Sequence, residues 1–259
     1  SGKGQPGRGV RDPDGGSKLM RDDVRTVMWK ERKCLFRFRG SRVRFLLTLL
    51  FPFLFAVFQP LRDGPSFVEN EGAVVFSAII PVIVLLITIP DSFAGERERK
   101  TLETLLASRL PDRAILFGKL VVSVAFAWGL ALLVLLLSLV TVNIAHWDGT
   151  LLLYKPTIAL ASLGMSFLMA TLAAGAGVLV SLRAATVQEA AQTLAAIFLV
   201  PPMLFNVVLL LFVDRLRDLV GGLKGEHILL FIAIVLGVID AAVYAATLLR
   251  FQRSRLILD

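Results

Sequence analysis

GAVVFSAIIPVIVLLITIP, residues 72–90, runs for 19 positions without a charged side chain, and its reading decides the fold. As a helix rising about 1.5 Å per residue the run spans about 28 Å, close to the ~30 Å hydrocarbon core of a bilayer. Outward from it, five further blocks are uncharged or nearly so: 45–61, 114–145, 156–182, 190–213 and 227–249. With 56% hydrophobic residues, 19% charged residues and a mean hydropathy of +0.75, the chain does not have the composition of a water-soluble domain. A membrane barrel would show alternating segments of about ten residues, whereas these runs are continuous in Leu, Val, Ala and Phe. Helices are then what satisfies every backbone group in lipid. The expected fold is an all-α integral membrane protein with six transmembrane helices over residues 41–259.

Orientation follows from the 28 Lys and Arg. With an even number of spans, the N-terminal stretch, the 2/3 loop, the 4/5 loop and the C-terminus share one side and carry 13, 6, 1 and 3 of them. Arg62, Lys155, Arg215, Arg217 and Lys224 fall on the other side. The basic side is expected to be cytoplasmic, which places both termini there. The formal charge of +8 is therefore a topology signal that also suits anionic membrane lipid, and no nucleic-acid partner is implied. A lone Cys34 allows no intrachain disulfide, and His146 and His227 fall at expected external loop ends, away from any intramembrane metal or haem site. Residues 1–20 read as a Gly-rich, basic, disordered tail with no apolar core of a cleavable signal peptide.

Residues 21–40, RDDVRTVMWKERKCLFRFRG, place Val24, Val27, Met28, Leu35 and Phe38 at helical spacing. Arg21, Arg25, Arg32, Lys33, Arg37 and Arg39 flank them, and Trp29 suits the headgroup depth. This is the pattern of an interfacial amphipathic helix.

Between the second and third spans lies GERERKTLETLLASRLPDRAILFGK, residues 95–119. Leu102, Leu105 and Leu106 share one face of a short helix over about 96–110, with Glu96, Glu98, Arg99, Lys100 and Glu103 around the rest. Pro111 stops that helix, and Asp112 is placed to cap a new one running into the third span. So short a helix needs a surface to bury its leucine ridge. Periodicity leaves two open: the chain's own bundle, or a groove on a separate soluble protein.

The run ERERKTLETLLAS followed by PDRAILFGK resembles the segment between the second and third spans of ABC type-2 exporter permeases. The matching residues are Glu96, Arg97, Glu98, Thr101, Leu102, Glu103, Leu105, Leu106, Ser108, Pro111, Ile115, Gly118 and Lys119, with Arg109 and Leu110 inserted between Ser108 and Pro111. The preceding basic amphipathic helix, TVQEAAQ in the 4/5 loop and RFQRSRL after the last span agree in order, so the likeness covers about residues 20–258. It implies the transmembrane subunit of an ATP-driven exporter, in a cell (inner or plasma) membrane and of prokaryotic origin. Glu96, Arg97, Glu98, Thr101, Leu102, Glu103, Leu105 and Leu106 would form the coupling helix on an ATP-binding cassette subunit. A second permease, identical or related, would complete the pathway. RAILFGKL lacks the first glycine and the final Ser or Thr of a Walker A loop, so no ATP site is expected in this chain. ATP and Mg would be bound by the partner, and the chain would not itself be an enzyme.

Few polar groups interrupt the spans. Asp240 is the ionisable one near mid-membrane and a candidate for a pathway or a buried pair, with Lys119 as a conceivable partner. Asn206 follows Pro201 and Pro202, a pair expected to kink or break the fifth span near a gate or pathway. In the fourth span Ser162, Ser166, Ala170 and Ala174, and Ala173, Gly177 and Ser181, form small-residue stripes, read first as packing within the bundle. In exporters of the resembling family the 5/6 loop, here DRLRDLVGGLKGEH, forms small re-entrant helices. One Asp and one Asn are a thin set for an ion-coupled secondary transporter, and both His lie outside the spans, which disfavours an intramembrane enzyme. A pathway poor in charge leans toward a lipid-like or amphipathic cargo.

Overall fold

The computed structural model describes residues 24–33, 42–98, 112–220 and 225–250. Apart from short connections they form helices, with no strand among the described residues. In chain order these are α1 (24–33), α2 (Arg42–Asp63), a 3-10 turn (Gly64–Val68), α3 (Gly72–Glu98), α4 (Asp112–Ala145), α5 (Pro156–Ser181), α6 (Val187–Val220) and α7 (Gly225–Arg250). Five of them, α3 to α7, are long and apolar enough to cross a membrane. The expected first span coincides with the 22 residues of α2, which is not among those five.

Two boundaries differ from the sequence reading. The helix expected to start afresh near residue 96 does not: Glu96, Arg97 and Glu98 are the last turn of α3. Between Pro90 and Glu98 the sequence offers a single glycine and no proline, so nothing ends the helix. Likewise α6 continues to Val220, where a loop with small re-entrant helices was expected from residue 214. DRLRDLV is free of Gly and Pro, and the first breaker is Gly221. The Pro201–Pro202 pair does not break α6 either, which is helical on both sides of it. At 34 residues, α4 and α6 are each about 51 Å long and must tilt or project beyond the ~30 Å core.

The bundle is organised on α3, which packs most extensively on α5 and then on α4 and α6. Close approach depends on small residues. A Cβ on Gly177 of α5 would sit 2.6 Å from Ile89 Cγ2 of α3, and one on Gly175 would sit 2.9 Å from Val243 Cγ1 of α7. The stripes of α5 are buried against this chain's own helices: Ser162, Ser166, Ala170, Ala173, Ala174, Gly177 and Ser181 all lie inside. In lipid, where the tails are as apolar as leucine, such backbone proximity supplies the packing attraction. One apolar cluster, with Leu85, Ile89, Phe93, Leu116, Leu120 and Val178, fills the half of the bundle toward the 2/3 loop. A second, with Phe67, Val74, Ile80, Val134, Val142 and Ile158, fills the other half.

Candidate functional site

The sequence-selected segment is rooted where α3 ends and α4 begins, and the structure brings α1 to the same place. On α1 the inward face is Val24, Val27, Met28 and Glu31, at steps of three and four, with Val27 and Glu31 buried and Arg25, Trp29, Lys30, Arg32 and Lys33 exposed. Val27 lies directly over Gly118 of α4, where an added Cβ would meet its Cγ1 at 2.6 Å. Glycine at 118 is therefore what lets the two helices touch. Outside, Lys33 Nζ stands 3.8 Å from the Trp29 ring, a cation–π pair on the exposed face.

Next to this contact, Lys119 is buried to 1% side-chain exposure with its ammonium between two carboxylates, 3.1 Å from Glu31 Oε1 and 3.0 Å from Glu96 Oε1. It also donates to Ser92 O at 2.8 Å and lies 5.2 Å from the centre of the Phe93 ring. Lys30 approaches Glu96 Oε1 from the solvent side at 3.8 Å. The three protons of the ammonium thus meet two carboxylates and a carbonyl, which satisfies it in a site that water barely reaches.

Glu98 completes the arrangement. Its Oε1 accepts from the Val187 N–H at 2.8 Å, so the last residue of α3 caps the start of α6, where the helix dipole favours an anion. Thr186 Oγ1 accepts from Glu189 N–H at 3.1 Å, and Glu189 Oε2 reaches back to accept from Ala185 N–H, one residue before the cap, at 2.9 Å, a variant of the capping box written in TVQE. Of the eight coupling candidates, Glu96 and Glu98 are thus engaged with this chain's own helices, and Arg97 is in the last turn of α3. Thr101, Leu102, Glu103, Leu105 and Leu106 lie outside the described residues. Glu31 escaped the sequence reading. Its signal was present as a single acid on the apolar face of α1, at the i+4 position from Val27.

The membrane-embedded candidates sit elsewhere. Asp240 of α7 is not paired with Lys119; its Oδ2 accepts from Thr171 Oγ1 of α5 at 2.6 Å, because α7 packs on α5 while Lys119 is taken by α1 and α3. Asp240 Oδ1 is buried with no hydrogen bond. Pro201 and Pro202 are exposed on α6, turned away from the chain's own core, and Asn206 follows on the same helix. Asp240 is thus turned onto α5, while the proline pair lies on an exposed face of α6.

At the opposite end the connections are held by neutral groups. Asn143 at the end of α4 donates to Leu152 O at 2.9 Å and accepts from Leu152 N–H at 2.9 Å, closing the 146–155 loop. Tyr154 donates to Leu135 O at 3.1 Å, and burial pushes its phenol well above the ordinary range. The 3-10 turn enters beneath α4, with Gly64 in a left-handed conformation (φ 61°) against His146.

Five long apolar helices with a charged joint at one end of two of them are the outline of a multi-pass membrane protein. No curated protein matches this sequence. A family comparison matches residues 22–211, from α1 into α6, to the ABC-2 type transporter. On that match over most of its length the chain belongs to the ABC-2 type transporter family, as a multi-pass transmembrane permease of an ABC transporter.

Proposed function

We propose that this permease is half of the pathway of an ATP-driven exporter and takes its power through residues 96–106 from a separate ATP-binding cassette subunit. The observation that carries the reading is the shared root of the 99–111 segment. Its flanking helices are ion-paired to each other through Lys119 and Glu96 at 3.0 Å, so a push on the segment is delivered to α3 and α4 together. α3 in turn packs on α4, α5 and α6, which gives that push a route into the body of the bundle. ATP and Mg would be bound by the partner; closure of its two copies would displace the segment because ATP binds one conformation better than the other.

A second permease would meet the outer faces of α2 and α6, where Phe51, Leu54, Phe55 and Phe58, and Ile197, Val200, Met203 and Leu204, are exposed. In this reading α2 is the first of six spans, both termini are cytoplasmic in an inner or plasma membrane of a prokaryotic cell, and residues 1–20 and 21–40 form a tail and an interfacial helix. The cargo leans lipid-like or amphipathic, since Asp240 turned onto Thr171 offers little charge to a pathway.

Copurification tests the reading. The unaltered chain should bring down a Walker A protein whose ATPase activity changes on assembly, and Leu105→Asp should remove at least about 90% of that protein while membrane insertion is unchanged, a loss of about 1.4 kcal/mol or more in affinity. Normal assembly of the variant rejects a docked leucine ridge. Substrate movement by the purified chain under a proton gradient alone rejects ATP-driven export in favour of a secondary transporter.

A further inference from the structure

Three segments far apart in the sequence meet at one ammonium. Glu31 belongs to α1, Glu96 to the end of α3 and Lys119 to the start of α4, and the cluster is buried, with side-chain exposures of 8%, 16% and 1%. The 99–111 segment leaves α3 just after Glu96 and joins α4 at Asp112, so Glu96 and Lys119 mark its two roots. What holds α1 here is tertiary contact, as for most helices in proteins. That hold has two parts set side by side: Val27 over Gly118, and Glu31 one turn further on over Lys119. Two carboxylates share the one buried ammonium, and Lys30 adds a partly screened positive charge from outside.

We propose that Lys119 is a positioning residue, the common counter-ion that fixes α1 to both roots of the 99–111 segment so that the three move as one body. Its functional sense rests on the reading of that segment as the ATPase contact: α1 is carried whenever the segment is displaced. The physical signature is charge balance. Removing one member of a buried ion cluster strands the others, whereas neutral replacement of all members at similar volume relieves the cost. A role of bulk alone would make Lys119→Met and the fully neutral variant behave alike.

The test is amide hydrogen exchange of peptides covering 24–33, on the full chain in lipid nanodiscs. In the unaltered chain the amides of α1 are protected; Lys119→Met raises their exchange at least about tenfold, a local opening larger than any change in α5. Lys119→Met combined with Glu31→Gln and Glu96→Gln returns the protection to within about threefold of the unaltered chain. Unchanged protection in Lys119→Met overturns the proposal, and so does loss of protection in the neutral triple variant. Should Lys119→Met fail to accumulate, the triple variant carries the test: its accumulation with protected α1 supports the ion joint, and its failure rejects it. In the complex with the ATP-binding subunit, protection of 24–33 stays the same with and without trapped ATP, while a nucleotide-driven rise rejects the single moving body. If the unaltered chain binds no such subunit, the reading of 99–111 fails and the exchange comparison between variants alone decides on the joint.

Discussion

The two ends of the bundle are fastened by different chemistry. At the end that carries the 99–111 segment, the fastening is a buried ion cluster joining residues 31, 96 and 119, drawn from three separate helices. At the other end it is a set of neutral side-chain to backbone hydrogen bonds, mostly local: Asn143 to Leu152, and Tyr154 to Leu135. Neutral local bonds hold a loop in one shape and are replaced one at a time. A charge cluster either keeps its balance or loses it whole, and it pulls distant segments into one unit. The first suits a static closure and the second a joint that must transmit displacement without coming apart.

This contrast orders the effects of substitution. Lys119→Met should be the most damaging single change, lowering stability by about 3–5 kcal/mol because Glu31 and Glu96 are left buried without their ammonium. Thermal unfolding of the purified chain should register it as a clear loss, and a shift as small as that of an exposed lysine variant would mean that the cluster carries no weight. Gly177→Val comes next. Its Cβ would stand 2.6 Å from Ile89 Cγ2 and 3.3 Å from Leu194 Cδ2, and separating α5 from α3 at their main contact should cost about 1–3 kcal/mol. Gly164→Val, on the same helix with nothing within 4 Å, is the matched control and should be nearly silent. A equal response at both positions would show that helix propensity, not close packing, is being measured.

At the neutral end, Asn143→Ala removes the partner of both the N–H and the C=O of Leu152 and should cost about 1–2 kcal/mol. Faster amide exchange confined to 146–155 would report it, with α1 unaffected. Spread of the change to α1 would contradict the independence of the two ends.

What could be read from the sequence follows the range of the forces involved. Pro111 followed by Asp112 announced the start of α4, because the signal is local. The continuations of α3 and α6 were missed for the converse reason: a new helix was expected near residue 96 and a loop from residue 214, although Glu, Arg and Leu all propagate a helix already under way. Gly118 and Lys119 stood out as a motif, yet their purpose depends on α1 lying across them, a contact over some ninety residues that no periodicity reveals. Lys119 as a partner for Asp240 failed similarly, since pairing charges by depth ignores which helices touch. The small-residue stripes of α5 were legible as packing surfaces, and α3 is what fills them.

The smallest effect belongs to an exposed ion pair at the neutral end. Lys155 Nζ and Glu69 Oε2 are 3.3 Å apart, close to the Lys119 distances, but their side chains are 54% and 59% exposed. Water screens the attraction and both side chains lose freedom in forming it, so Lys155→Ala should change stability by no more than about 1 kcal/mol. Whatever effect exists should fade as salt is raised from about 0.05 M to 1 M, because the screening length falls from over ten to about 3 Å. Lys119→Met should keep its effect over the same range, its charges being shielded from the added ions by protein. The backbone at this position does not rely on the pair: Lys155 N–H donates to Val68 O at 3.3 Å, a bond that alanine retains. Equal salt dependence at positions 119 and 155 would place the three-helix cluster in solvent reach and remove the physical difference between the two ends.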